Sequence, residues 1–171
     1  MALLTDTMQA FQYPEHIDFV YGNPTLITQF QWDPNALSDN MSFPLPCGVA
    51  ISATNTSFST ATPGWSTYGT TSTIPLGILF NRCDTSSTPF SIVQPDGELV
   101  LRIPTSSMAL NGTPTNATGL YWNTSTPYGG LTNNNTQSPT SSEPTMILVD
   151  IQGEYALVKF NMAYWDGVVN S

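Results

Sequence analysis

The chain has 171 residues, and its three Lys and Arg face twelve Asp and Glu for a formal net charge of -9. Charged residues are only 9% of the chain, against roughly a quarter in an average soluble protein, so Thr, Ser and Asn must cover the surface. Three scattered cations, Arg82, Arg102 and Lys159, cannot build a phosphate-neutralising patch, which excludes a nucleic-acid binder.

The chain begins Met1-Ala2-Leu3-Leu4-Thr5-Asp6, without a basic n-region or a sustained apolar run. That does not read as a signal peptide, so synthesis and first folding are expected in a cytoplasm. Residues 1–16 read as an N-terminal arm in which Phe11 and Tyr13 stand out and Pro14 stops any helix. Residues 17–171 read as one β domain with a core, since 40% of the chain is hydrophobic. No stretch approaches the ~20 apolar residues of a membrane span, so no membrane partner is expected.

Ile17 to Tyr21 is strand-like, and Gly22-Asn23-Pro24 is a turn signal. From Leu26 to Trp32 the chain alternates, with Leu26, Thr28, Phe30 and Trp32 on one face and Ile27, Gln29 and Gln31 on the other. Asp33-Pro34-Asn35 breaks the pattern, and Ala36 to Met41 suits one helical turn. Cys47 to Ala53 reads as the next strand. A polar loop from Thr54 to Thr73 follows, with Trp65 and Tyr68 set in it as candidate contact residues. Leu76 to Phe80 is apolar without alternation, as in a strand buried on both faces, and Phe90 to Val93 is another short strand. After the Pro95-Asp96-Gly97 turn, Glu98 to Ile103 opposes Leu99 and Leu101 to Val100 and Arg102.

Residues 104–144 are low in complexity and read as a long excursion that orders only against a partner or the domain surface. Ala117 to Trp122 is a candidate strand within it. Thr145 to Ile151 and Glu154 to Met162 form the clearest hairpin, turning at Gln152-Gly153. Ala163 to Ser171 is a short tail. The fold class is therefore all-β, a small barrel or sandwich joined by long Ser/Thr/Asn-rich loops.

Catalytic chemistry finds little footing. His16 is the only histidine, and no Gly-x-Ser-x-Gly elbow, Gly-rich nucleotide motif or EF-hand loop occurs. Asp96 with Glu98, and Asp150 with Glu154, flank turns, where carboxylates cap backbone N–H groups. Cys47 and Cys83 read as two buried reduced thiols, with a disulfide between them as the alternative. Two cysteines and one histidine do not supply a zinc site. Six Asn-x-Ser/Thr sequons, at Asn40, Asn55, Asn111, Asn116, Asn123 and Asn134, follow from the loop composition. No enzyme, cofactor or metal is expected. The profile is that of an interaction or structural protein.

Pro46-Cys47-Gly48-Val49-Ala50 resembles the Pro-small-Gly-Val-aliphatic strand start of tailed-phage head decoration proteins of the lambda type. Ile74-Pro75-Leu76-Gly77-Ile78-Leu79-Phe80-Asn81-Arg82-Cys83-Asp84 resembles their Pro-Val-Gly-Ile-Leu-x-x-Asp-Val-Asp stretch, with Asn81 and Cys83 departing from the usual acidic and aliphatic residues. The Gln152-Gly153-Glu154 hairpin is similar to a further strand pattern of that family. The resemblance runs through residues 44–103 and 145–162. It implies a non-enzymatic cement protein, typically a homotrimer, on the outer capsid surface of the virion. Such a protein is made in the host bacterium and clamps neighbouring subunits of the major capsid protein. It also implies a capsid-binding arm, here with Leu3, Leu4, Phe11 and Tyr13 as its apolar residues. Two rival readings remain. One is a tail or fibre module that stacks a host glycan on Trp65, Tyr68, Tyr121 and Trp122. The other is a carboxylate-dependent hydrolase on a β scaffold.

Overall fold

A computed structural model describes residues 16–33, 45–52, 60–63, 73–83, 88–122, 131–134 and 143–169. The described fold is β apart from one short helix and a 3-10 turn at Thr105–Ser107. Strands β2 (Leu26–Trp32), β3 (Gly48–Ser52), β4 (Thr60–Pro63), β5 (Thr73–Leu79) and β6 (Phe90–Val93) close a barrel in the order β2-β4-β3-β5-β6. Strands β1 (Asp18–Tyr21), β7 (Val100–Pro104), β8 (Gly119–Trp122), β9 (Leu131–Thr132), β10 (Met146–Gln152) and β11 (Tyr155–Phe160) form a six-stranded sheet in the order β1-β7-β11-β10-β8-β9.

The alternation in β2 is interrupted, and the interruption decides what the barrel buries. Ile27 pairs with Ile92 but Phe30 pairs with Phe90, so one extra residue bulges out of β2. Gln29 sits there with φ 70. A bulge reverses the side-chain phase. Phe30 and Trp32 therefore point into the core while Leu26, expected on their face, is exposed and Ile27 is half-buried. Inside the barrel the Trp32 and Phe90 rings stack with centroids 4.1 Å apart.

A second bulge lies in β5. Val49 pairs with Gly77 but Ala50 with Pro75, which leaves Leu76 unopposed. The lack of a ladder N–H at Pro75 is tolerated beside such an irregularity. Gly77 is required by close approach: a Cβ there would stand 2.1 Å from the Val93 carbonyl oxygen of β6. From Pro75 to Leu79, β5 is otherwise buried on both faces, as the apolar run there implies.

The sheet has one wholly apolar face. Phe19, Leu101, Val158 and Leu148 form one cross-strand row, and Phe160, Met146 and Leu120 form another. These join the barrel interior in one contiguous core. β10 is also bulged: Leu148 pairs with Val158 and Asp150 with Leu157, so Val149 is the extra residue and Ile151 returns to the core side opposite Ala156. The hairpin turn is at Gly153-Glu154, one residue later than the sequence suggests, with Gly153 at φ 62.

Two expectations are corrected. The polar segment 54–73 contains β4. Over its described residues the 104–144 segment orders against the domain: the strand expected at Ala117 to Trp122 is β8, and with β9 it extends the sheet and buries Leu120, Trp122 and Leu131. The carbonyl of Leu131 also accepts the Ala109 N–H at 2.8 Å. Finally, the tail is helix α1 (Met162–Val169), which packs against β5. Tyr164 and Trp165 are buried, and the Trp165 indole N–H donates to the Thr145 carbonyl at 3.0 Å. That aromatic pair offsets the weak intrinsic preference of so short a helix. The helical turn expected at Ala36 to Met41 lies outside the described residues.

Because no side chain fits between Gly77 and Val93, Gly77→Ala should destabilise the protein by about 3 kcal/mol in urea unfolding. Gly153→Ala, which meets open space, should cost only about 1 kcal/mol for its positive φ. Equal midpoints for the two variants would refute the close-approach account.

Candidate interaction surface

The second face of the six-stranded sheet is mixed. Register places Tyr21, Val100, Lys159 and Ile147 side by side across β1, β7, β11 and β10. The next row is Asp18, Arg102, Leu157 and Asp150. Arg102 is held by two partners: its guanidinium pairs with the Asp18 carboxylate and lies 5.4 Å from the centre of the Tyr155 ring. The ion pair is half exposed at both ends, so its net contribution is small, at most ~1 kcal/mol. Its neighbour Leu157 is buried although it stands outside the main core. The Arg102 and Tyr155 side chains beside it cover apolar surface while keeping their polar ends wet.

β1 is the edge of this sheet, and among the described residues its far side has no partner strand. It is short, and Val20 bulges between the Phe19 and Tyr21 pairs. Both features blunt an edge against indiscriminate strand addition. The same bulge puts Tyr21 on the outer face beside Val100. Val20 is 50% exposed, Tyr21 66% and Leu26, across the turn, 38%. Gly22, with φ 86, folds that turn back until a Cβ would meet the Leu99 side chain at 3.0 Å. Beneath the corner Phe80 stacks on Phe19 and on His16, with centroids 6.2 and 5.9 Å away. Ile17 N–H donates to the Phe80 carbonyl at 2.8 Å, so the N-terminal approach to β1 is tied to the barrel.

The proposed arm residues Leu3, Leu4, Phe11 and Tyr13, and the loop aromatics Trp65 and Tyr68, lie outside the described residues. Tyr121 and Trp122 are brought together on β8, not on a loop. Tyr121 is half-buried. Trp122 is buried in the core, so the structure contradicts its reading as a contact aromatic. It stands two residues from Leu120 on β8 and so shares its buried face, a signal that the surrounding Ser, Thr and Asn masked. Sequence reading also missed Val20 and Tyr21, and for Tyr21 the outward face depends on the β1 bulge.

Among the described residues, no three His, Cys, Asp or Glu side chains converge as a metal site. His16 contacts the Ile17 carbonyl through Nδ1 at 3.2 Å and otherwise lies on Phe80. The turn carboxylates serve the backbone: Asp96 accepts the Glu98 N–H, and Asp150 the Ile151 N–H, each at 2.9 Å. No protein-family model and no curated protein matches the chain.

Two buried acids lie away from this surface. Cys47 and Cys83 are reduced and buried, and burial, reinforced by the neighbouring Cys83, pushes the Cys47 thiol well above its ordinary range. Burial likewise raises the Tyr164 hydroxyl, opposed in part by the Trp122 indole beside it. Each acid binds its proton more tightly folded than unfolded. Stability is therefore full below the unfolded pKa and falls as pH rises past it. Urea midpoints should decline above about pH 8.5, where an unfolded thiol ionises, and more steeply above about pH 10, where an unfolded tyrosine does. Midpoints unchanged from pH 7 to 11 would contradict this.

Proposed function

We propose that this protein is a structural component of a virus particle, a decoration or cement protein of a tailed-phage head. In this reading it binds the outer surface of the icosahedral shell as a homotrimer and stabilises contacts between major capsid subunits. The observation that carries the reading is the β1 corner. An edge strand, three exposed apolar side chains and the point where residues 1–15 join the fold all coincide there. A segment that adds main-chain hydrogen bonds beside an apolar anchor is an efficient way to hold a small protein on a shell. Repetition in a trimer multiplies that grip. The low cation content and net charge of -9 keep such a protein off packaged nucleic acid and keep particles apart. The motifs at residues 44–103 and 145–162 support the same family reading.

The rival glycan-binding reading loses one of its four aromatics, since the ring of Trp122 is buried. The test is co-sedimentation of purified protein with undecorated, expanded heads of the source phage. Saturation at a copy number set by the shell symmetry, together with greater resistance of the heads to heat, is expected. Val20→Asp with Tyr21→Asp should leave stability within about 0.5 kcal/mol, as exposed sites usually do, and weaken binding at least tenfold. Protein that stays in the supernatant at every concentration would overturn the proposal. Glycan binding without head binding would replace it with the tail-module reading.

A further inference from the structure

We propose that Cys47 and Cys83 are a latent cross-link, which a mild two-electron oxidant closes to tie the start of β3 to the chain just beyond β5. The two are the chain's only cysteines, both are reduced, and both are fully buried in one core cluster. They come from segments that already lie side by side. The Cys47 carbonyl accepts the Leu79 N–H at 2.8 Å, and Gly48 pairs with Ile78. Beyond Leu79 the chain bends at Phe80, and Cys83 is buried shortly after. Each thiol points to nearby backbone, Cys47 to the Gly48 carbonyl at 3.4 Å and Cys83 to that of Asn81 at 3.8 Å. Cys83 also adds to the burial that holds the Cys47 thiol in its neutral form, as expected of two thiols in one neighbourhood.

The place gives the link a purpose. Asn81 pairs with His16 ahead of β1, and its side-chain oxygen accepts the Ser91 N–H of β6 at 2.9 Å. A bond between Cys47 and Cys83 would brace the junction at which β1, β3, β5 and β6 meet. It would close a loop of roughly 36 residues in the unfolded chain, a length at which cross-linking strongly restricts the denatured ensemble. In the reaction each thiol gives up its proton, the S–S bond forms, and two electrons and two protons pass to the oxidant. A diazene such as diamide accepts them and becomes a hydrazine. Buried neutral thiols react only as the core opens, so closure takes hours and accelerates with pH.

The full-length protein is incubated with diamide at pH 8.5 and then followed by intact mass, peptide mapping and thermal unfolding. The expected product is monomeric, about 2 Da lighter from the loss of two hydrogens. It yields a linked peptide containing Cys47 and Cys83. Its Tm is higher by about 10 °C and returns to the starting value with dithiothreitol. Cys47→Ala and Cys83→Ala should each abolish the mass loss and the Tm gain. Should either variant fail to fold, the comparison of oxidised and re-reduced wild-type protein decides alone. Unchanged mass, adducts on single cysteines, intermolecular dimers, or a linked product without a higher Tm would each overturn the proposal.

Discussion

Closing five strands into a ring forces one pair of neighbours to run parallel. Direction must return to its starting sense around the ring, and strict alternation does that only for an even number. Here β2 and β4 are that pair, joined through Gln31–Thr60 and Trp32–Ala61, while the other four contacts are antiparallel. Parallel neighbours cannot be joined by a tight turn, and the chain reaches β4 from β2 only by way of β3. Closure also demands curvature, which the bulges at Gln29 and Leu76 supply. Gly77 allows β5 and β6 to approach at the tight side of the ring.

The barrel does not stand alone. Its interior is continuous with the inner face of the six-stranded sheet, and α1 closes that core through Tyr164 and Trp165. Asn161 donates its side-chain N–H to the Pro144 carbonyl at 2.7 Å, and Trp165 donates to Thr145. Both anchor the chain leading into β10 against the start of the helix. With charged residues at only 9% of the chain, stability rests on apolar burial and on backbone pairing more than on ion pairs.

That division of labour leaves the surface available for contact. On the outer face of the sheet, Tyr21, Val100 and Ile147 lie in one row with Lys159 between them, and Arg102 is occupied by Asp18 and Tyr155. Such a face mixes apolar side chains with charges, two of which already neutralise one another in the Arg102–Asp18 pair. Its edge at β1 is short and bulged, which resists promiscuous pairing but leaves Val20 and Tyr21 pointing outward. Those are the properties on which the proposal of an interaction protein rests.

Much of this was legible in the sequence. The all-β class, the β10–β11 hairpin, the apolar run of β5 and the opposed faces of Leu101 and Arg102 follow from period-2 alternation and from turn residues with definite backbone preferences. The reduced state of the two cysteines also agreed with the sequence reading. Tertiary structure alone decided the phase of β1, β2 and β10, because a bulge inverts alternation and depends on which strand lies opposite. It decided that Leu26 faces water while Trp122 and Trp165 face the core. It also recruited β4 and β9 out of Ser/Thr-rich sequence and wound the tail into a helix. Local composition records what a segment prefers when alone; these segments take their structure from neighbours far away in the chain, whose contacts no local pattern contains.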